Sequence, residues 1–313
     1  DSKGKSNYKK INTLINLTLN IIKKDQILVV LSQVSPGFTR KLYKKHNLVY
    51  YMVETLIFGN AVERALNPER LIIGKSDSNK NIERKFSNFL KQFSKNIIEM
   101  NFESAELCKI AINIYLASSV TTTNFLNDVA SKMNANWDSI KFALNMDKRI
   151  GKFAYLEPGL GISGGNIERD LKSIAEISSN LGVNKNLIDV IKKNSVFYKD
   201  WAYRTIKNST KKVKINFGIL GLTYKENTNS VKNSPSIKLI KKLQSTENKF
   251  NGKIYVYDPK VKSINNLNII FMNSYLEVIK RSDVLVVMTK WSEFKKITKK
   301  DIDKFFKGIV LID

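Results

Sequence analysis

Lys109 and Asn113 stand four residues apart in Ser104-Ala-Glu-Leu-Cys-Lys-Ile-Ala-Ile-Asn113. That spacing places both polar side chains on one face of a helix. A lysine in a dry site holds an anionic oxygen or, with its pKa lowered, assists removal of a proton. Taken alone, such a pair is ordinarily a solvated face. A second polar group closes Pro158-Gly-Leu-Gly-Ile-Ser-Gly-Gly-Asn-Ile-Glu-Arg-Asp170, where Asn166 and Asp170 follow glycines that let backbone approach a ligand closely. Gln33 and Glu54 each follow an apolar run and, by themselves, read as ordinary polar residues at strand ends. Cys108 lies one residue round the helix from Lys109, so we expect it to point elsewhere as a packed thiol.

Elements of two kinds are needed to hold these groups. The first hundred residues alternate helix and strand patterns: a helix over 8–24, a buried strand at Gln26–Leu31, a turn at Ser35-Pro-Gly37 opening another helix, a strand near 48–53, and a turn and strand in Asn67–Gly74. Such alternation predicts parallel strands with crossover helices. No Gly-x-Gly-x-x-Gly precedes them. From Phe102 to Ile150 neither Gly nor Pro occurs, which predicts long helices. A glycine-rich loop over 151–165 follows, and helical sequence then runs from Ile167 to about Ile206 with a break at Gly182. Beyond Lys211, strands at 213–218, 253–257, 284–288 and 309–312 alternate with helices at 236–244 and 275–281, a second doubly wound parallel sheet. The expected division is 1–101, 102–210 and 211–313: two Rossmann-like parallel-sheet α/β domains, the first incomplete, joined by an all-helical region.

Composition bounds the partners. The 313 residues carry 53 Lys and Arg against 28 Asp and Glu, a net charge of +25, which attracts polyanions. The basic residues are mostly lysines scattered among Asn and Ile, and no basic–aromatic stripe or zinc spacing accompanies them. We therefore expect neither nucleic acid nor membrane as a partner. One Cys and one His (Cys108, His46) exclude a disulfide framework and a Cys/His zinc site within one chain. No apolar run is long enough for a transmembrane helix, and a cytoplasmic location is expected. Because the chain starts at Asp1 without Met and stops on the apolar run 308–313, we expect it to be cut at both ends.

Eight segments in order carry a resemblance. They are Leu31-Ser-Gln-Val-Ser-Pro-Gly37, Tyr51-Met-Val-Glu-Thr-Leu-Ile-Phe-Gly-Asn-Ala61, the 104–113 helix, Met146-Asp-Lys-Arg-Ile-Gly151 and the 158–170 loop. Gly218-Ile-Leu-Gly-Leu-Thr-Tyr-Lys-Glu-Asn-Thr-Asn-Ser-Val-Lys-Asn-Ser-Pro235, Tyr257-Asp-Pro259 and Thr289-Lys-Trp-Ser-Glu-Phe294 complete the series. Together they resemble the signature segments of the nucleotide-sugar 6-dehydrogenases, the UDP-glucose/GDP-mannose dehydrogenase family. The resemblance implies a catalytic set of Glu54, Lys109, Asn113, Asn166 and Asp170. It implies sugar-nucleotide contacts from Ser163, Gly164, Lys225 and Arg149, the last reaching a neighbouring subunit's site in a homodimer. It implies NAD contacts from Ser32, Gln33 and Lys232, with Lys232 replacing an Arg and so keeping charge without the bidentate fork.

Three departures fall near the chemistry that the resemblance implies. Gln33 stands where a Thr would help hold a catalytic water, Phe58 replaces a second carboxylate, and Asn166 occupies the position of the nucleophilic thiol. Superposing Gly164-Gly165 on the family's glycine pair would instead put Ile167 there, and neither alignment yields Cys. In the family, a sugar 6-hydroxymethyl group becomes a carboxylate at the expense of two NAD⁺, through a thioester. A carboxamide cannot form that adduct. The expectations are therefore a single two-electron oxidation of a UDP- or GDP-hexose, or acid formation through an aldehyde hydrate, in polysaccharide precursor synthesis. A catalytically inactive nucleotide-sugar-binding homologue is the alternative.

Overall fold

The structure is a computed structural model that describes residues 8–56, 59–77, 79–245 and 250–313; Phe58 lies outside them. The chain forms two compact units, one of residues 1–115 and 169–185, the other of 116–168 and 186–313.

The first unit begins with α1 (Tyr8–Ile21), β1 (Leu28–Val30), α2 (Phe38–Tyr43) and β2 (Val49–Met52), and continues through α3 (Ala61–Leu66), β3 (Leu71–Lys75), α4 (Arg84–Leu90) and β4 (Ile97–Asn101). The strands are short β-branched and aromatic runs, suited to a pleated buried surface. They pair in the order β1-β2-β3-β4. β1 and β2 are parallel, as expected, and β3 is parallel to β4, a strand not expected from the sequence, whereas β2 and β3 run antiparallel. A parallel pair needs a crossover that returns the chain to the same end of the sheet. The connection after β2, whose described helix has six residues, reverses the chain direction instead. Val30, Tyr51, Ile72, Phe102 and Ala105 form the core on one face of this sheet.

The Gly- and Pro-free stretch gives α5 (Phe102–Lys132), of 31 residues, and α6 (Trp137–Met146). The Asn136 side chain caps α6 by accepting the Ser139 N–H at 2.8 Å. After the glycine loop come α7 (Asn166–Asn180), α8 (Asn186–Lys199) and α9 (Trp201–Ser209), the first pair separated at Gly182, whose φ is 68°. Both α5 and α7 contribute residues to each unit.

In the second unit β5 (Phe217–Leu220), α10 (Pro235–Leu243), β6 (Ile254–Tyr257), β7 (Ile270–Phe271), α11 (Tyr275–Arg281), β8 (Val284–Val287), α12 (Lys299–Phe305) and β9 (Val310–Ile312) follow in turn. All pairings are parallel, in the order β7-β6-β5-β8-β9. The sheet therefore reverses its winding between β5 and β8, the place where open α/β sheets leave a ligand crevice at the strands' carboxyl ends. β5 and α11 approach so closely that only glycine fits at position 218. A Cβ there would lie 1.9 Å from Ser282 Oγ and 2.8 Å from Val278 Cγ1. Gly218→Ala is expected to cost about 1–3 kcal/mol through overpacking. Urea unfolding checks this: the midpoint falls at unchanged slope, and an unchanged midpoint would show that α11 yields freely.

Candidate active site

Unit one gathers five of the expected residues, and its parallel pair β1 and β2 helps explain why. Ser32 and Gln33 follow β1, and Glu54 follows β2, so both loops leave the carboxyl ends of a parallel strand pair, on the same side of the sheet. Gly37, with φ 89°, then turns the chain into α2. The Gly37 and Thr39 N–H groups donate to the Glu106 carboxylate at 2.6 and 2.8 Å. Glu106 is fully buried on α5, and desolvation raises its pKa against the pull of those bonds. It ties the helix carrying Lys109 and Asn113 to the loop carrying Gln33.

Asp170, on α7, has no exposed surface. Gln33 Nε2 donates to its Oδ1 and Asn113 Nδ2 to its Oδ2. Arg169 lies beside it, Nε 3.6 Å from Oδ1, and also donates to Gln33 Oε1. The result is a continuous row, Arg169–Gln33–Asp170–Asn113. Burial raises the Asp170 pKa, and the opposing influences are Asn113, Arg169, Gln33 and Lys109 in turn. Lys109 Nζ donates to the backbone carbonyl of Glu54. Desolvation lowers its pKa, while Glu54 and Asp170 act in the opposite sense. This is a lysine shifted toward proton acceptance, held beside a charged carboxylate. The Glu54 carboxylate itself folds back and accepts from the Leu56 N–H, so the main chain of Glu54, not its side chain, meets Lys109. Ser32 is exposed. Cys108 is half-buried and packs against the core of this unit.

Unit two holds the glycine loop and the switch point of its sheet. Gly159 N–H donates to Asn124 Oδ1 at 2.8 Å, and Ile162 N–H to Ser195 Oγ at 2.9 Å. Gly161, at φ 75°, passes so near Ser195 that a Cβ would meet its carbonyl oxygen at 2.6 Å. Asn233 Nδ2 donates to the Gly164 carbonyl at 2.8 Å, which pins the loop to the segment before α10. Tyr224 stands over Gly164, and the Lys232 side chain lies along Gly165, where it would be 3.0–3.2 Å from any Cβ. A cavity of about 670 Å³ opens here, lined by Asn124, Pro158, Ser163, Tyr224, Lys225 and Thr289 among others. The turn after β5 is held by Asp258, which accepts from Leu222 N–H at 2.7 Å and Trp291 Nε1 at 3.2 Å. The Tyr-Asp-Pro and Thr-x-Trp segments are thus joined to the turn after β5 by one buried carboxylate.

Of the expected residues, Gln33, Glu54, Lys109, Asn113 and Asp170 meet in unit one, and Ser163, Gly164, Lys225 and Lys232 surround the cavity or its loop in unit two. Asn166 is exposed as the first residue of α7. Arg149 is 88% exposed and pairs with Asp147 at 2.6 Å, so within one chain it joins neither group. Arg169 and Glu106 were not singled out in the sequence, although each sits inside a motif: one before Asp170, the other three residues before Lys109. Among the described residues no cluster of three His, Cys, Asp or Glu would hold a metal, and no helix is long and apolar enough to cross a membrane.

Asn113→Leu removes a donor from the buried Asp170 carboxylate, so it is expected to destabilise by about 1–3 kcal/mol. Asn113 lowers the Asp170 pKa, and the variant raises it further above its unfolded value. The folded variant then holds the proton more tightly, and its stability relative to wild type falls as pH rises. Urea unfolding is expected to show the deficit near neutral pH and its loss as acid protonates Asp170. A pH-independent deficit would remove the carboxylate from the explanation.

The known proteins that this chain resembles bear on these arrangements. Residues 103–195 match the UDP-glucose/GDP-mannose dehydrogenase family, central domain, and residues 218–313 match the family's UDP binding domain. UDP-glucose 6-dehydrogenase of Campylobacter jejuni is 30% identical over 314 residues, spanning 99% of this chain and 76% of the relative. The Rickettsia prowazekii enzyme of the same name is 28% identical over 328 residues, spanning 99% and 74%. Among solved structures, a UDP-glucose dehydrogenase from Pyrobaculum islandicum superposes with TM-score 0.78 at 21% identity, covering 92% of this chain and 67% of that one. A UDP-D-ManNAc dehydrogenase from Pyrococcus horikoshii gives 0.80 at 21% identity, covering 97% and 72%. At that identity the structures establish the shared fold alone.

Proposed function

The chain belongs to the UDP-glucose/GDP-mannose dehydrogenase family, and from that membership we infer that it oxidises a CH–OH group of a UDP-sugar with NAD⁺, without a covalent sulfur step. The observation that carries the reading is the desolvated Lys109 held beside Asn113 and Asp170. In this reading the substrate alcohol gives its proton to Lys109 Nζ as hydride leaves carbon, and the product is a carbonyl. Burial favours the neutral amine that accepts that proton. Asn113 and Asp170 fix the polar wall beside it. The uridine diphosphate is assigned to the unit-two cavity with Lys225, Ser163 and Gly164, supported by the match of 218–313 to a UDP binding domain and by the switch-point position.

The fit to NAD is to its reacting end. Ser32 and Gln33 follow the carboxyl end of β1, where such ligands lie. Among the described residues of unit one no glycine-rich turn follows a strand, and Glu106 already takes the N–H groups at the start of α2. NAD⁺, when bound, supplies the hydride acceptor. Lys232 is retained as a cationic contact for its pyrophosphate. A cytoplasmic homodimer serving polysaccharide precursor synthesis completes the reading. The homodimer is supported by large apolar side chains left in solvent, Phe125 on α5, Phe142 on α6 and Phe153 in the loop after α6, at 56%, 69% and 86% exposure.

Asn166 decides what the product is. With no thiol at that position, the expected outcome of incubation with NAD⁺ and a panel of nucleotide sugars is one NADH per sugar consumed and a carbonyl product. Two NADH and a uronate would point to oxidation through the hydrate. Binding seen by calorimetry with no NADH from any sugar would make the protein an inactive nucleotide-sugar-binding homologue.

A further inference from the structure

Gln33 does more than fill a strand-end position. Its amide is used at both ends: Nε2 donates to Asp170 Oδ1, and Oε1 accepts from Arg169. That double use fixes which way the amide points, because Arg169 can only donate and an ionised Asp170 can only accept. Asn113 takes Asp170 Oδ2, and Asp170 has no exposed surface. Each carboxylate oxygen thus already has an amide donor, and bulk solvent does not reach either. A carboxylate so enclosed is poorly placed to orient or deprotonate a water molecule. Yet a carbonyl can advance to an acid without sulfur only by adding water. Water adds across C=O to give a gem-diol, which then loses hydride to NAD⁺ and a proton to a base, leaving the carboxylic acid.

We propose that Gln33 is a positioning residue that seals Asp170 against water, so that oxidation at this site stops at the carbonyl. The inference rests on the reaction proposed above. It adds a second, independent block at Gln33 to the one set by Asn166. Asn166 removes the covalent route to the acid, and Gln33 removes the route through the hydrate. Arg169 takes part by holding the far end of the Gln33 amide, so the seal spans one loop and two helices rather than one side chain.

Two substitutions separate sealing from mere packing. Gln33→Ser opens space beside Asp170 for a water, whereas Gln33→Leu fills the space and lacks the donor. With NAD⁺ and the accepted UDP-sugar, wild type is expected to yield one NADH per sugar. Gln33→Ser is expected to move the yield toward two with acid appearing in the product, and Gln33→Leu to remain at one. Equal yields from the Ser and Leu variants would overturn the proposal. Crystal structures of wild type and Gln33→Ser supply a readout without turnover: a water within hydrogen-bond distance of Asp170 is expected in the variant only. Such a water in wild type would also overturn it. Should wild type form no NADH, the functional reading fails by itself and the crystallographic comparison still decides the role of Gln33. If Gln33→Ser does not fold, Gln33→Ala opens the same space.

Discussion

A carboxylate with no exposed surface, Asp170, is the constraint on which the first unit turns. An ionised group taken out of water is costly unless fixed donors replace its hydration. Here the replacements come from three separate places in the chain: Gln33 after β1, Asn113 on α5 and Arg169 on α7. Satisfying one charge therefore sets the mutual positions of a loop and two helices. Glu106 repeats the device on a smaller scale by accepting from the start of α2. Lys109 is the consequence. It is carried into the same dry region by α5, and its pKa is drawn down by burial and partly restored by the Glu54 and Asp170 charges.

The second unit solves a different problem, that of bringing backbone close to a ligand. Its loop is not loose despite its glycines, because Asn124, Ser195 and Asn233 each accept from or donate to its main chain. The glycines are required at Gly161 and Gly164, where positive φ coincides with contact against Ser195 and Tyr224. Asp258 fastens the neighbouring turn through Leu222 and Trp291. Preorganised polar groups of this kind position a ligand without further reorganisation.

Much of this was legible in the sequence where the signal is local. The Gly- and Pro-free run announced α5, Gly182 marked the break between α7 and α8, and β6, β8 and β9 fell where short apolar runs lay, whereas β5 begins four residues later than expected and the two-residue β7 carries too short an apolar run to be read. Lys109 and Asn113 shared a helix face by spacing alone. What could not be read was long-range pairing. The antiparallel β2–β3 contact depends on how a connection turns, not on composition. Gln33 reaches Asp170 across 137 residues, and no local pattern joins them. Gln33 in isolation reads as an ordinary polar residue at a strand end, and only the fold gives its amide two partners. Arg169 carries no local signal, because an arginine beside an aspartate in a helix is usually solvated. The Tyr-Asp-Pro and Thr-x-Trp motifs were visible, but their common cause, the Asp258 carboxylate, was not.

The coupling of Lys109 to Asp170 is the point at which this account is most exposed. Nuclear magnetic resonance titration of the lysine side chains, with Lys109 assigned by substitution, measures it without substrate or cofactor. Lys109 is expected to titrate below the ordinary lysine value of 10.5, and lower still in Asp170→Asn, where the neighbouring negative charge is gone. A Lys109 that titrates at or above 10.5, or that Asp170→Asn leaves unmoved, would contradict it.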